Sequence, residues 1–239
     1  MSWVLWMLAV IIMFGAADFQ ERTGPTKEFK GSFRVGDEEY DFALLRSGNT
    51  DAGAPLIVPD PGAGLTGTVY FKRYPTNDPF TPIPMESLAG DLQALLPAQP
   101  AAGKLEYYLI LEGGGTSIRI PQAETLILRY KDPVPLAFLV PHVICMFIGL
   151  LVGVRTALGA AFYPVHLRKL AWTTLGLLTL GGMILGPIVQ KYAFGAFWTG
   201  WPFGYDLTDN KTLIMWVVWL GVVAVMARWR SPGGWIPRG

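Results

Sequence analysis

The stretch Val134–Val154, VPLAFLVPHVICMFIGLLVGV, contains no Asp, Glu, Lys or Arg. Wound as a helix it reaches about 30 Å, the thickness of a bilayer's hydrocarbon core. Leu170–Val189 repeats the pattern, equally uncharged. Leu213–Ala227 is shorter, but Trp216, Trp219 and Trp229 with Arg228 and Arg230 supply the aromatic and basic anchors of a membrane interface. Ser2–Ala17 is the fourth apolar run. Its Gly15-Ala16-Ala17 resembles a signal cleavage site, yet no basic residue precedes the apolar stretch, so an uncleaved anchor is expected. Four membrane spans are predicted.

Composition agrees. Of 239 residues 51% are hydrophobic and only 15% charged, with mean hydropathy +0.36, values foreign to an ordinary soluble domain. The charges are sorted: Asp18 to Pro133 holds sixteen acidic and eleven basic residues, and the rest of the chain two and eight. Basicity this low gives no nucleic-acid footprint, so that partner class is excluded. One cysteine, Cys145, leaves no disulfide framework and no zinc cluster.

Lys and Arg in short loops set orientation. The connection after the second span carries Arg155, Arg168 and Lys169, and the C-terminal tail carries Arg228, Arg230 and Arg238. Both are expected in the cytoplasm, with Met1, which places residues 18–133 and the loop 190–212 outside. The expected organisation is an anchor (1–17), an extracytoplasmic domain (18–133), a three-helix region (134–228) and a cytoplasmic tail (229–239). In a bacterium this is a multi-pass inner-membrane protein whose main domain is periplasmic.

Between Phe19 and Pro133 short alternating segments broken by Gly and Pro read as antiparallel β structure. Lys27–Val35 and Tyr40–Arg46 flank Gly36-Asp37-Glu38-Glu39 as a hairpin. Leu65–Tyr74, Leu105–Leu111, Thr116–Ile120 after Gly113-Gly114-Gly115, and Leu126–Tyr130 are further strands. About seven strands in such a length fit a β-sandwich. The proline-dense Tyr74–Pro84 cannot be a central strand. Asp37-Glu38-Glu39 lacks the alternating oxygen spacing of a calcium loop and reads as a solvated turn.

Leu96-Pro97-Ala98-Gln99-Pro100, followed by Gly103-Lys104-Leu105-Glu106-Tyr107-Tyr108-Leu109-Ile110-Leu111 and a Gly-rich turn, resembles the late-strand signature of fibronectin type III and related immunoglobulin-like domains. The resemblance implies an immunoglobulin-like β-sandwich between the first and second spans, in which Tyr107 and Tyr108 pack and orient strands. The expected class is thus a membrane protein of α+β type.

The least ordinary stretch is Gln190–Thr212, with seven aromatics between Tyr192 and Tyr205. It reads first as an aromatic belt, with Thr208 the N-cap of the last span and Asp206 and Asp209 favouring that helix start or pairing with Lys191 or Lys211. Phe197, Trp198, Trp201 and Phe203 are equally candidate docking anchors. The residues Ala193, Phe194, Gly195, Phe197, Trp198, Trp201, Asp206, Lys211, Thr212, Leu213, Ile214 and Trp216 are also similar to the Trp-rich outer loop of haem-handling proteins in cytochrome c maturation. That likeness implies haem as cofactor, with Trp198 and Trp201 as platform and His142 as ligand. The chain departs from the family in having Tyr205-Asp206-Leu207-Thr208-Asp209 for its acidic core and no second outer histidine; His166 falls in the cytoplasmic connection.

His142, Cys145 and Met146 share a helix face. An ionisable group inside a span is a functional candidate, against which stands a plain structural hydrogen bond. Gly149-x3-Gly153 and Gly182-x3-Gly186 permit close helix approach, to each other or to a partner helix. Pro187 is expected to kink the third span. No P-loop, dinucleotide fingerprint, Ser-His-Asp set or intramembrane carboxylate is present. The expectation is a non-catalytic accessory or scaffold subunit of a larger membrane assembly, with integral membrane subunits and lipids as partners and no resident cofactor. Alternatives are haem binding or delivery through His142 and the Trp-rich loop, and a ligand sensor of the envelope.

Overall fold

The computed structural model describes residues 2–62, 64–113 and 115–228. The expected tail 229–239, with Trp229, Arg230 and Arg238, lies outside them, as does Gly114 of the Gly-rich turn. The chain forms two compact units: Arg22–Pro133, and a helical unit joining the residues before it to those from Val134 onward.

Helices α1 (Ser2–Thr23), α2 (Leu136–Phe162), α3 (Leu167–Phe194) and α4 (Leu207–Arg228) are long and apolar enough to cross a membrane. Each outruns the apolar stretch that signalled it, because Gln20-Glu21-Arg22 extends α1 and Thr208–Lys211 opens α4 in water-compatible sequence. α2 and α3 run antiparallel. Gly149 lies against Leu177 and Leu178, and Gly153 against Thr174. α4 returns along α3, with Trp216 Nε1 donating to Thr179 Oγ1 at 2.9 Å and Val223 packing with Ala171 and Leu175. α1 buries only Leu5, Ala9 and Met13, a stripe at i, i+4 and i+8.

α3 is not uniform. Thr179–Leu185 is π-helical, immediately before Gly186-Pro187. Pro187 has no N–H and crowds the carbonyl four residues back, so the turn before it widens and Gly186 N–H bonds Gly181 O instead.

Among its described residues the β unit has eleven strands where about seven were expected: β1 (Phe29–Val35), β2 (Glu38–Leu44), β3 (Ser47–Asn49), β4 (Ala54–Pro59), β5 (Thr66–Arg73), β6 (Thr81–Pro84), β7 (Glu86–Leu88), β8 (Asp91–Leu96), β9 (Lys104–Gly113), β10 (Thr116–Ile120) and β11 (Leu126–Lys131). β1 and β2 pair in register Arg34↔Glu39 around a tight turn at Gly36-Asp37, with Gly36 at φ +62. A mixed sheet runs β3-β11-β9-β5-β6, β10 continuing the β11 edge of β9, and a three-stranded sheet runs β4-β8-β7. β3 is parallel to β11, and the other pairings are antiparallel.

Alternation places Leu105, Tyr107, Leu109 and Leu111 of β9 fully inside, beside Leu128 and Tyr130 of β11 in the same sheet and in one core with Leu56 and Val58 of β4 and Leu92 and Leu96 of β8. Tyr107 OH donates to Leu45 O at 2.6 Å and Tyr130 OH to Pro97 O at 3.0 Å, so both phenols are buried with their polar ends satisfied. Burial pushes both hydroxyls up, that of Tyr130 to about 12. Tyr108 points the other way, stacked on Tyr70 at 5.0 Å with Phe80 edge-on. Phe80 thereby pins the proline-dense segment, whose Thr81–Pro84 forms an edge strand.

Candidate docking loop and the helix contacts around His142

The segment between α3 and α4 is a tightly hydrogen-bonded loop whose organiser is Asp209, in the first turn of α4 and 8% exposed. Its Oδ2 accepts from Thr199 N at 2.7 Å, Gly200 N at 3.0 Å and Thr199 Oγ1 at 3.2 Å. Asn210 Oδ1 accepts from Trp201 N at 2.6 Å. Gln190, on α3, donates to Thr199 Oγ1 at 2.6 Å, so the loop bridges two helices. Within it Trp198 Nε1 donates to Trp201 O, and Phe203 N and Gly204 N both donate to Gly200 O. Gly204 packs so close that a Cβ there would meet Thr199 O at 2.3 Å. Trp201-Pro202 is cis.

Two sequence expectations need correction. The N-cap of α4 is Asp206 rather than Thr208: Asp206 Oδ1 accepts from Thr208 N at 2.9 Å and Asp209 N at 3.2 Å, as an aspartate at a helix start does. The carboxylate of Asp209 serves backbone amides rather than Lys191, whose Nζ donates to Gly195 O at 2.6 Å and lies 5.6 Å from the Phe197 ring centroid.

The loop turns Phe197, Trp201, Phe203 and Tyr205 outward within this unit. Phe197 is 58% exposed, Trp201 66%, Phe203 82% and Tyr205 93%, while Trp198 is half-buried. The arrangement offers apolar contact area on a pre-ordered backbone. Asp209, having three donors already, has no evident role as an acid or base.

His142 lies half-buried on α2, with Nδ1 2.9 Å from Gly181 O in the π-helical turn. A carbonyl only accepts, so Nδ1 carries the proton. Cys145 and Met146, one turn on, pack against the same place: a Cβ at Gly181 would meet Cys145 Cβ at 2.7 Å, and one at Gly182 would meet Thr212 of α4 at 2.7 Å. A Cβ at Gly186 would stand 3.7 Å from the His142 ring. The space left by Gly149, Gly153, Gly182 and Gly186 is therefore filled by side chains of this chain. His142 finds its partner on α3; Trp198 and Trp201 find theirs in the loop and α4.

At the opposite end of the helices Arg155 sits inside α2, 3% exposed, not in the connection where its charge had placed it. That connection is residues 163–166, with His166 at its end in a left-handed conformation, φ +56. Arg168 and Lys169 occupy the exposed first turn of α3. Asp209, Asn210, Gln190, Gly181 and Arg155 were all missed as positioning residues. The acid-free sequence around Arg155 was the available signal. No group of three or more His, Cys, Asp and Glu among the described residues is placed to hold a metal ion. No protein-family model and no curated protein sequence matches the chain.

Proposed function

We propose that the chain is a non-catalytic accessory or scaffold subunit, docked through the Phe197–Tyr205 loop to an integral membrane partner of a larger assembly. Respiratory and photosynthetic electron-transfer complexes are the class of assembly we name. The observation that carries the reading is the Asp209-centred network. A belt of interfacial aromatics needs no fixed loop geometry, whereas an interface gains when its aromatic anchors are ordered before binding. The distribution of Lys and Arg favours an inner-membrane protein of a bacterium with the β unit in the periplasm. The strand order β3-β11-β9-β5-β6 against β4-β8-β7, with its parallel β3–β11 pair, favours an immunoglobulin-like sandwich, a common binding or spacing module. The test is purification from native membranes in mild detergent. Stoichiometric partners should accompany the wild type, and the triple replacement Phe197→Ala, Trp201→Ala, Phe203→Ala should release them. A partner-free wild type would contradict the proposal.

One observation favours a second reading, haem binding or delivery. The Gly181 carbonyl fixes the His142 tautomer, leaving Nε2 as the lone-pair nitrogen, the second-shell arrangement that metal-ligating histidines use. A Soret band in the purified protein, abolished by His142→Ala, would support it over docking alone. A colourless protein excludes resident haem and leaves the sensor reading to ligand-binding assays on the β unit.

A further inference from the structure

Arg155 combines burial with incomplete pairing. Among the described residues its Nε and Nη1 are buried without a hydrogen-bond partner. Nη2 donates to Ser2 Oγ at 3.4 Å, and the guanidinium carbon lies 5.5 Å from the Trp6 ring centroid. Gly159 makes the room, since a Cβ there would stand 2.6 Å from Nη1. A guanidinium keeps its charge in proteins, and a buried charge without a counterion is costly.

The described residues provide no counterion nearby. No acidic residue occurs in Ser2–Ala17, from Val134 to Tyr205, or after Asp209. The acids of the helical unit are Asp18, Glu21, Asp206 and Asp209, at the ends of α1 and α4 remote from Arg155. The anion has to come from beyond the described residues. Arg155 is seven residues before the end of α2, about 10 Å along its axis, near headgroup depth for a helix longer than the hydrocarbon core. Arg168 and Lys169 lie at the same end, in the first turn of α3.

We propose that Arg155 is the binding site for the phosphate of an anionic phospholipid in the leaflet where α1 begins and α2 ends. The phosphate enters beside the first turn of α1, replaces the long Ser2 contact, and pairs with Nε and Nη1. Lipid supplies this charge wherever the protein is embedded, and the exposed cations draw it in. The first turn of α1 is the movable wall, because α1 is held to the bundle by the narrow Leu5-Ala9-Met13 stripe. The inference assumes that the helices span a bilayer and is independent of the docking loop.

The test uses the full chain in nanodiscs of phosphatidylcholine alone or mixed with phosphatidylglycerol, with melting followed by tryptophan fluorescence. Every tryptophan lies outside Arg22–Pro133, so the signal reports the helical unit. Phosphatidylglycerol should raise the wild-type melting temperature by about 3 °C or more. Arg155→Gln should melt alike in both discs and, in phosphatidylcholine, no lower than wild type, since it removes an uncompensated charge. Arg168→Gln with Lys169→Gln should retain most of the response. Inorganic phosphate added to phosphatidylcholine discs separates the sources: an equal rise there assigns the site to free phosphate and overturns the lipid. An unchanged response in Arg155→Gln, or no wild-type response, overturns the proposal. So does loss of a companion protein in Arg155→Gln with the lipid response intact, which would make the anion a partner's carboxylate.

Discussion

Removing the Asp209 carboxylate leaves the amides of Thr199 and Gly200 without acceptors in a loop that is otherwise hydrogen-bonded. Each stranded buried donor costs roughly 1–3 kcal/mol, so Asp209→Ala should speed exchange of those two amides by about tenfold or more. Hydrogen exchange read at Thr199 and Gly200 checks it, and unchanged rates would dissolve the loop network as described. In the β unit, Leu109 has no exposure. Leu109→Asp buries an unpaired charge at a cost of roughly several kcal/mol and should unfold the unit, seen as loss of its β circular dichroism. Tyr130 gives a pH signature. Its folded hydroxyl titrates near 12 against an ordinary 10, because burial disfavours the phenolate. A raised value means that stability is fully present below about 10 and is lost as pH rises through about 12. Tyrosinate absorbance at 295 nm should therefore include a late step that coincides with β unfolding, and its appearance before unfolding would contradict the buried placement.

Among elements, legibility in the sequence followed the strength of the local pattern. β9 alternates four buried side chains over seven residues, and its inward face was readable from Leu105 to Leu111. β4 and β8 were not readable. Pro55 and Pro59 interrupt the first, and Asp91-Leu92-Gln93-Ala94-Leu95-Leu96 has a helix former's composition, overridden by pairing across the three-stranded sheet. The four helices were announced by apolar length, but charge misplaced Arg155, because a cation inside a span is rare enough to be assigned to a loop. The Asp209 network was invisible for a different reason: its donors are nine and ten residues away in sequence and meet only when the loop folds. Helix contacts give a further prediction. A Cβ at Gly182 would meet Thr212 at 2.7 Å, so Gly182→Leu should separate α3 from α4 and lower the tryptophan-reported melting temperature, whereas Gly176→Leu, with nothing within 4 Å, should not.

For the whole molecule, the contact between Ser2 and Arg155 sets the start of α1 beside the second half of α2, as two antiparallel neighbours require. Reporter fusions after Ala17, Pro133 and Asp209 should mark one side of the membrane and a fusion after Val165 the other. A report at Pro133 matching that at Val165 would overturn the four-span arrangement. Whether the aromatic loop meets protein is read by photo-crosslinking in native membranes, with p-benzoylphenylalanine replacing Trp201, which is 66% exposed on an ordered backbone. One crosslinked protein of fixed mass is expected, lost when Asp209→Ala loosens the loop. Crosslinks to lipid alone, insensitive to Asp209→Ala, would contradict it and reduce the loop to an interfacial belt.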